Sequence, residues 1–136
     1  MDVSEKGLAE TAAQAAAGTG VIVNTASLAA TQGNPYMTAY AASKGAELAF
    51  SLSLAAELTG RRIRVVPVSP GAVGTPLTRA PDMFPAGLDV GYFTKIRSYF
   101  GAADPEQIAS AIAFAASSDA AYFTGADLRV DGGAHT

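Results

Sequence analysis

The chain has 136 residues, enough for one ordinary domain and too few for two. Hydrophobic residues make up 49% and charged residues 15%, a balance that can fill a core and argues against disorder throughout. The net charge of −3, with no basic run beyond Arg61-Arg62, argues against the clustered positive surface that nucleic acid demands.

Residues 4–17 are rich in alanine and favour a helix, which Gly18-Thr19-Gly20 stops. Val21-Ile22-Val23 is a β-branched run of the kind found in buried strands. Thr25-Ala26-Ser27 leaves it for a loop of small residues ending at Gly33. A long helix is predicted from Tyr36 to about Leu58, with Asn34 as cap, Pro35 in the first position and Gly60 at the end. Ala41, Leu48, Leu52, Ala55 and Leu58 recur at helical spacing and predict one buried face. Ile63 to Val68 is a second strand, apolar almost without a break, as expected where both faces are covered.

Pro70-Gly71 turns the chain sharply. From Leu77 to Gly101, prolines and glycines mix with Phe84, Tyr92, Phe93, Tyr99 and Phe100, a composition closer to a lid than to a core element. Asp104 or the residue before it opens a third helix running through Pro105 to about Ser117, and Leu128-Arg129-Val130 is a third strand closed by Asp131-Gly132-Gly133. Strand, helix, strand, helix, strand is the order of an α/β fold, a partial Rossmann-like parallel sheet of about three strands with covering helices.

Cysteine is absent, which removes thiol nucleophiles, disulfides and thiolate metal sites together. His135 stands one residue from the C-terminus, where a solvated histidine is the ordinary outcome, and no carboxylate cluster suggests a metal. No stretch approaches the roughly 20 apolar residues of a membrane span, and no basic-then-apolar leader opens the chain. A cytoplasmic protein with no membrane or nucleic-acid partner is the expectation.

Tyr40 and Lys44 lie four apart on the long helix, one turn from each other on one face. An ammonium beside a phenol favours the phenolate, and a tyrosine so placed can give or take a proton near neutral pH. Ser27 leaves the C-terminal end of the first strand, where open α/β sheets hold their ligands. Alone, a Tyr-x-x-x-Lys pair is more often a half-buried tyrosine beside a solvated lysine.

Its surroundings carry more. Ile22-Val23-Asn24-Thr25-Ala26-Ser27 followed by Tyr40-Ala41-Ala42-Ser43-Lys44 resembles the signature of the short-chain dehydrogenase/reductase family in order and in the gap from serine to tyrosine. Pro70-Gly71-Ala72-Val73-Gly74-Thr75 resembles that family's Pro-Gly-x-Val-x-Thr loop. Gly101 with Asp104 to Ala109, and Thr124 to Gly133, resemble its last helix and strand. The resemblance covers about residues 20–133. It implies an oxidoreductase that moves hydride between NAD or NADP and a small carbonyl or secondary alcohol substrate. Tyr40 would be the general acid/base, Lys44 would favour its ionisation and bind the nicotinamide ribose, and Ser27 would orient the substrate oxygen. Tyr40, Lys44, Pro70, Gly71, Val73 and Thr75 would line the cofactor, with the Val73 backbone reaching its carboxamide. The chain would form a single domain, 1–136, with an N-terminal helix (1–19), the catalytic region (20–75), a substrate lid (76–101) and the last helix and strand (102–136).

The family's opening strand and glycine-rich turn, whose backbone approaches the pyrophosphate at a helix N-terminus, have no counterpart here. Asp2-Val3-Ser4 resembles the turn after the family's third strand; alternatively, Met1-Asp2-Val3 stands where the family has a proton-relay asparagine. A three-stranded sheet leaves an edge to cover, so the chain is expected to form a homo-oligomer or to meet a partner chain through the helix over 36–58. Two other readings accompany the oxidoreductase: a cofactor-independent acid/base enzyme of isomerase or retro-aldol type, and a non-catalytic subunit of the same fold.

Overall fold

A computed structural model describes residues 20–80, 86–89, 91–93 and 97–135. The helix expected over 4–17 and the two placements of the first residues lie outside this range. Three parallel strands, β1 (Gly20–Thr25), β2 (Ile63–Pro70) and β3 (Leu128–Val130), form a sheet in the order β1-β2-β3. Two helices, α1 (Thr38–Leu58) and α2 (Pro105–Ala116), connect them. The α/β class read from the sequence is the one observed.

The strand β2 is central because its residues suit burial on both faces. Ile63, Val65, Val66 and Val68 are at most 1% exposed. Ile63 and Val65 pack with Ile22 of β1 against Leu54, Ala55 and Leu58 of α1. Val66 and Val68 pack on the other face with Val21 and Val23 against Ile112 and Ala115 of α2. The side-chain period of two sends neighbours to opposite helices, which builds three layers around one strand. Four side chains of this size removed from water contribute about 1.5–3 kcal/mol each before entropy is subtracted. β1 has only β2 beside it among the described residues, and its side chains are accordingly half-buried.

The strand β3 reaches only the last part of β2, pairing Val68 with Leu128 and Pro70 with Val130. Lower down, a side chain replaces the missing strand: the Val65 N–H donates to Thr124 Oγ1 at 3.0 Å, and Gly125 N–H donates to the Val65 carbonyl at 3.0 Å. The Arg64 guanidinium donates to the carbonyls of Ala115 (2.8 Å) and Ser117 (3.0 Å), satisfying the end of α2 with the charge its dipole favours. At the start of α2 the Gln107 side chain reaches back to accept the Asp104 N–H at 2.8 Å, and Pro105 takes the first position.

Three sequence expectations for α1 and its ends need correction. The helix begins at Thr38, since Tyr36 has a φ of +63° and Asn34 and Pro35 form a turn before it. Its end passes through a short 3-10 turn to Arg62, which takes the left-handed conformation (φ +57°) expected of Gly60. The buried stripe is Leu48, Ser51, Ala55 and Leu58, whereas Leu52 is exposed. His135 is half-buried, with its Nδ1 enclosed.

Candidate active site

The site is built where β1 and β2 end. Ser27 follows β1 by two residues and caps a 3-10 turn over Leu28–Ala30, its Oγ accepting the Ala29 N–H at 3.2 Å. That leaves the hydroxyl hydrogen free to donate. Small buried residues on either side, Ala26 and Ala29, let this turn sit tightly against the sheet.

α1 runs antiparallel to β1, so its first turns lie at the strand's C-terminal end. Two contacts fix that register. Lys44 Nζ donates to the Thr25 carbonyl at 2.7 Å, and Asn24 Nδ2 donates to Ser51 Oγ at 2.9 Å. Lys44 and Ser51 are seven residues apart, two turns along one face. Tyr40 continues that face by one more turn beyond Lys44, roughly 6 Å further along the axis. Its ring is 47% exposed, consistent with a position past the strand end. The structure thus ties Lys44 to the end of the strand that leads to Ser27, with Tyr40 one turn away along α1.

Lys44 also forms an ion pair with Glu47 at 2.8 Å. The two side chains are only 19% and 9% exposed, so the pair is poorly screened. Ser51 Oγ in turn donates to the Glu47 carbonyl at 2.8 Å, which makes the face of α1 toward β1 a connected polar network above an apolar one.

The loop after β2 is held from two sides. Gly71 N–H donates to the Val130 carbonyl at 3.0 Å, and a Cβ on Gly71 would lie 2.9 Å from the Asp131 Cα, so only glycine fits. Val73 forms a lone parallel bridge with Ala103, made by Ala103 N–H to the Ala72 carbonyl (2.8 Å) and Gly74 N–H to the Ala103 carbonyl (2.9 Å). In that pattern the bonds come from the neighbours of Val73, so its own N–H faces away from Ala103. The Val73 carbonyl accepts from Thr75 N–H at 2.9 Å and Thr78 Oγ1 at 2.7 Å. Thr75 N–H also donates to Thr78 Oγ1 at 2.9 Å. Pro70 is the last residue of β2. Pro70, Gly71, Val73 and Thr75 therefore follow one another off the strand end on the ligand side of the sheet.

Sequence reasoning missed Glu47, Thr78 and Tyr36. Glu47 was legible as an i,i+3 partner of Lys44. Thr78 carried no signal beyond its nearness to Thr75. The backbone of Tyr36 carried none at all.

Comparison with known proteins is consistent with this layout. A family model described as enoyl-(acyl carrier protein) reductase matches residues 1–135. An uncharacterized short-chain type dehydrogenase/reductase from Sinorhizobium fredii is 45% identical over 113 residues, covering 82% of this chain and 20% of that protein. The 3-oxoacyl-[acyl-carrier-protein] reductase of Thermotoga maritima is 38% identical over 119 residues, covering 84% of this chain and 45% of that one. Among solved structures, a 3-oxoacyl-[acyl-carrier protein] reductase with bound NAD from Brucella melitensis superposes with a TM-score of 0.73 at 31% identity, covering 90% of this chain and 44% of that one. The chain thus spans less than half the length of these relatives.

Among the described residues, no group of three or more histidines and carboxylates could hold a metal. No helix among them is long and apolar enough to cross a membrane.

Proposed function

The chain belongs to the short-chain dehydrogenase/reductase family, and from that premise we propose that it carries the acid/base and nicotinamide-facing part of an oxidoreductase acting on a carbonyl or secondary alcohol. The observation that carries this reading is the tie between Lys44 and the end of β1, which joins the helix bearing Tyr40 to the strand leading to Ser27.

The residues present fit one end of a nicotinamide nucleotide. Lys44 offers an ammonium at the strand end, the Val73 N–H faces away from its bridge, and Thr75 stands two residues on. Lys44 would meet the ribose, and Pro70, Gly71, Val73 and Thr75 the nicotinamide. A glycine-rich pyrophosphate turn has no counterpart in the sequence, so this fit covers the nicotinamide end alone. Held by Lys44 and by the loop of Pro70, Gly71, Val73 and Thr75, NAD(P)H would be the hydride source for a carbonyl carbon, and NAD(P)+ would be the hydride acceptor in the reverse direction.

Tyr40 then donates its phenolic proton to the substrate oxygen during reduction and takes it back during oxidation. Lys44 stabilises the phenolate left behind by its positive charge. Ser27, already an acceptor toward Ala29, donates its own hydroxyl hydrogen to the same substrate oxygen. The test is the NADPH- or NADH-dependent reduction of a β-keto ester such as ethyl acetoacetate. Activity abolished by Tyr40→Phe with the fold intact supports the reading; unchanged activity would refute it.

We further propose that the chain associates with another copy through α1. Phe50 and Leu52 stand 46% and 38% exposed on that helix, and β1 has one unpaired side among the described residues. Sedimentation at micromolar concentration should give more than a monomer, and Phe50→Glu should shift it toward the monomer. A monomeric wild type would end this part of the proposal.

A further inference from the structure

Tyr36 holds a backbone conformation that its residue type disfavours. Its φ of +63° lies in the left-handed region, where glycine or asparagine would sit at less cost. A tyrosine keeps such a conformation only where its surroundings over-determine it. Its side chain shows what those surroundings are. The ring meets Tyr92 edge-on, with centroids 6.2 Å apart and planes at 83°, and lies 6.0 Å from the ring of Phe93. Its hydroxyl accepts the Asp89 N–H at 3.3 Å. Asp89 in turn accepts the Gly91 N–H on its carboxylate at 2.9 Å.

Two parts of the chain more than fifty residues apart meet at this one side chain. One is the turn that leads into α1 four residues before Tyr40; the other follows the loop carrying Val73 and Thr75. We propose that Tyr36 is a positioning and specificity-determining residue, clamping Asp89, Tyr92 and Phe93 against the turn that leads, four residues on, to Tyr40. The clamp presents aromatic surface there, and so favours substrates with an apolar substituent next to the reacting carbon. This inference rests on the oxidoreductase reading for its substrate half; the clamp itself does not depend on it.

The test uses the full chain with Tyr36→Gly, which removes ring and hydroxyl while suiting the positive φ, and Tyr36→Phe, which removes the hydroxyl alone. Amide hydrogen exchange of Asp89 and Tyr92 should accelerate by about tenfold or more in Tyr36→Gly, from the loss of two aromatic contacts. In Tyr36→Phe the Asp89 amide should accelerate and Tyr92 should change little. With ethyl benzoylacetate as probe, Tyr36→Gly should raise KM severalfold and leave kcat within about twofold, since the acid/base residues are untouched. Unchanged exchange at Asp89 and Tyr92 in Tyr36→Gly would overturn the clamp. A fall in kcat at constant KM would overturn the specificity role. A wild type inert toward every keto ester would count against the oxidoreductase reading and the substrate half of this one, while exchange still decides the clamp.

Discussion

Lys44 reaches across from α1 to donate to the Thr25 carbonyl at 2.7 Å while pairing with Glu47 at 2.8 Å. One ammonium thus joins helix to strand and neutralises a carboxylate that is almost shielded from water. Removing it takes away both the tie to β1 and one charge partner of the Glu47 carboxylate. Lys44→Met is expected to lower unfolding free energy in urea by about 1–3 kcal/mol. Glu47→Gln added to it should recover part of that loss, because the shielded charge is gone. An unaltered midpoint in the single variant would mean that the pair is solvated.

Tyr40→Phe should reduce keto ester turnover by about 10²–10⁴-fold, the range for loss of a positioned general acid. The ring is 47% exposed, so the melting temperature should stay near that of the wild type. A matching loss of stability would assign the residue a packing role instead.

Much of this layout was legible in the sequence, for physical reasons that can be named. The nearly continuous apolar run of β2, interrupted only by Arg64 before Val68, required helices on both faces, and both are there. Asp104 and Pro105 announced the start of α2 through local chemistry, and Gln107 completes the cap. What failed was decided by distant contacts. Ser51 is fully buried in place of Leu52 because Asn24 and the Glu47 carbonyl satisfy its hydroxyl, which hydropathy cannot register. Arg62 displaced Gly60 as the left-handed residue because the chain made one more 3-10 turn before entering β2. At the site, helical spacing gave Tyr40 and Lys44 one face of α1, but the bond from Lys44 to the Thr25 carbonyl and the clamp at Tyr36 needed partners distant in the chain.

Gly71→Ala should destabilise the fold by about 1–3 kcal/mol through overpacking, since the new methyl carbon would meet the Asp131 backbone at 2.9 Å. Gly33→Ala, where nothing lies within 4 Å, is the control and should change little. Thermal denaturation of the two variants side by side checks both.

Thr124→Val should cost about 1–3 kcal/mol, because the fully buried Val65 would lose the acceptor for its N–H. Thr124→Ser keeps the oxygen and should retain most of the stability. Faster exchange of the Val65 amide in Thr124→Val alone would locate the effect.

The most direct measurement of the central claim is a titration of the 136-residue chain with NADH and NADPH, followed by nicotinamide fluorescence or heat, beside Lys44→Met. The account predicts saturable binding that weakens by about tenfold or more when the ammonium is lost, as for a hydrogen bond from a charged group. No binding at millimolar nucleotide, or equal binding by Lys44→Met, would contradict it.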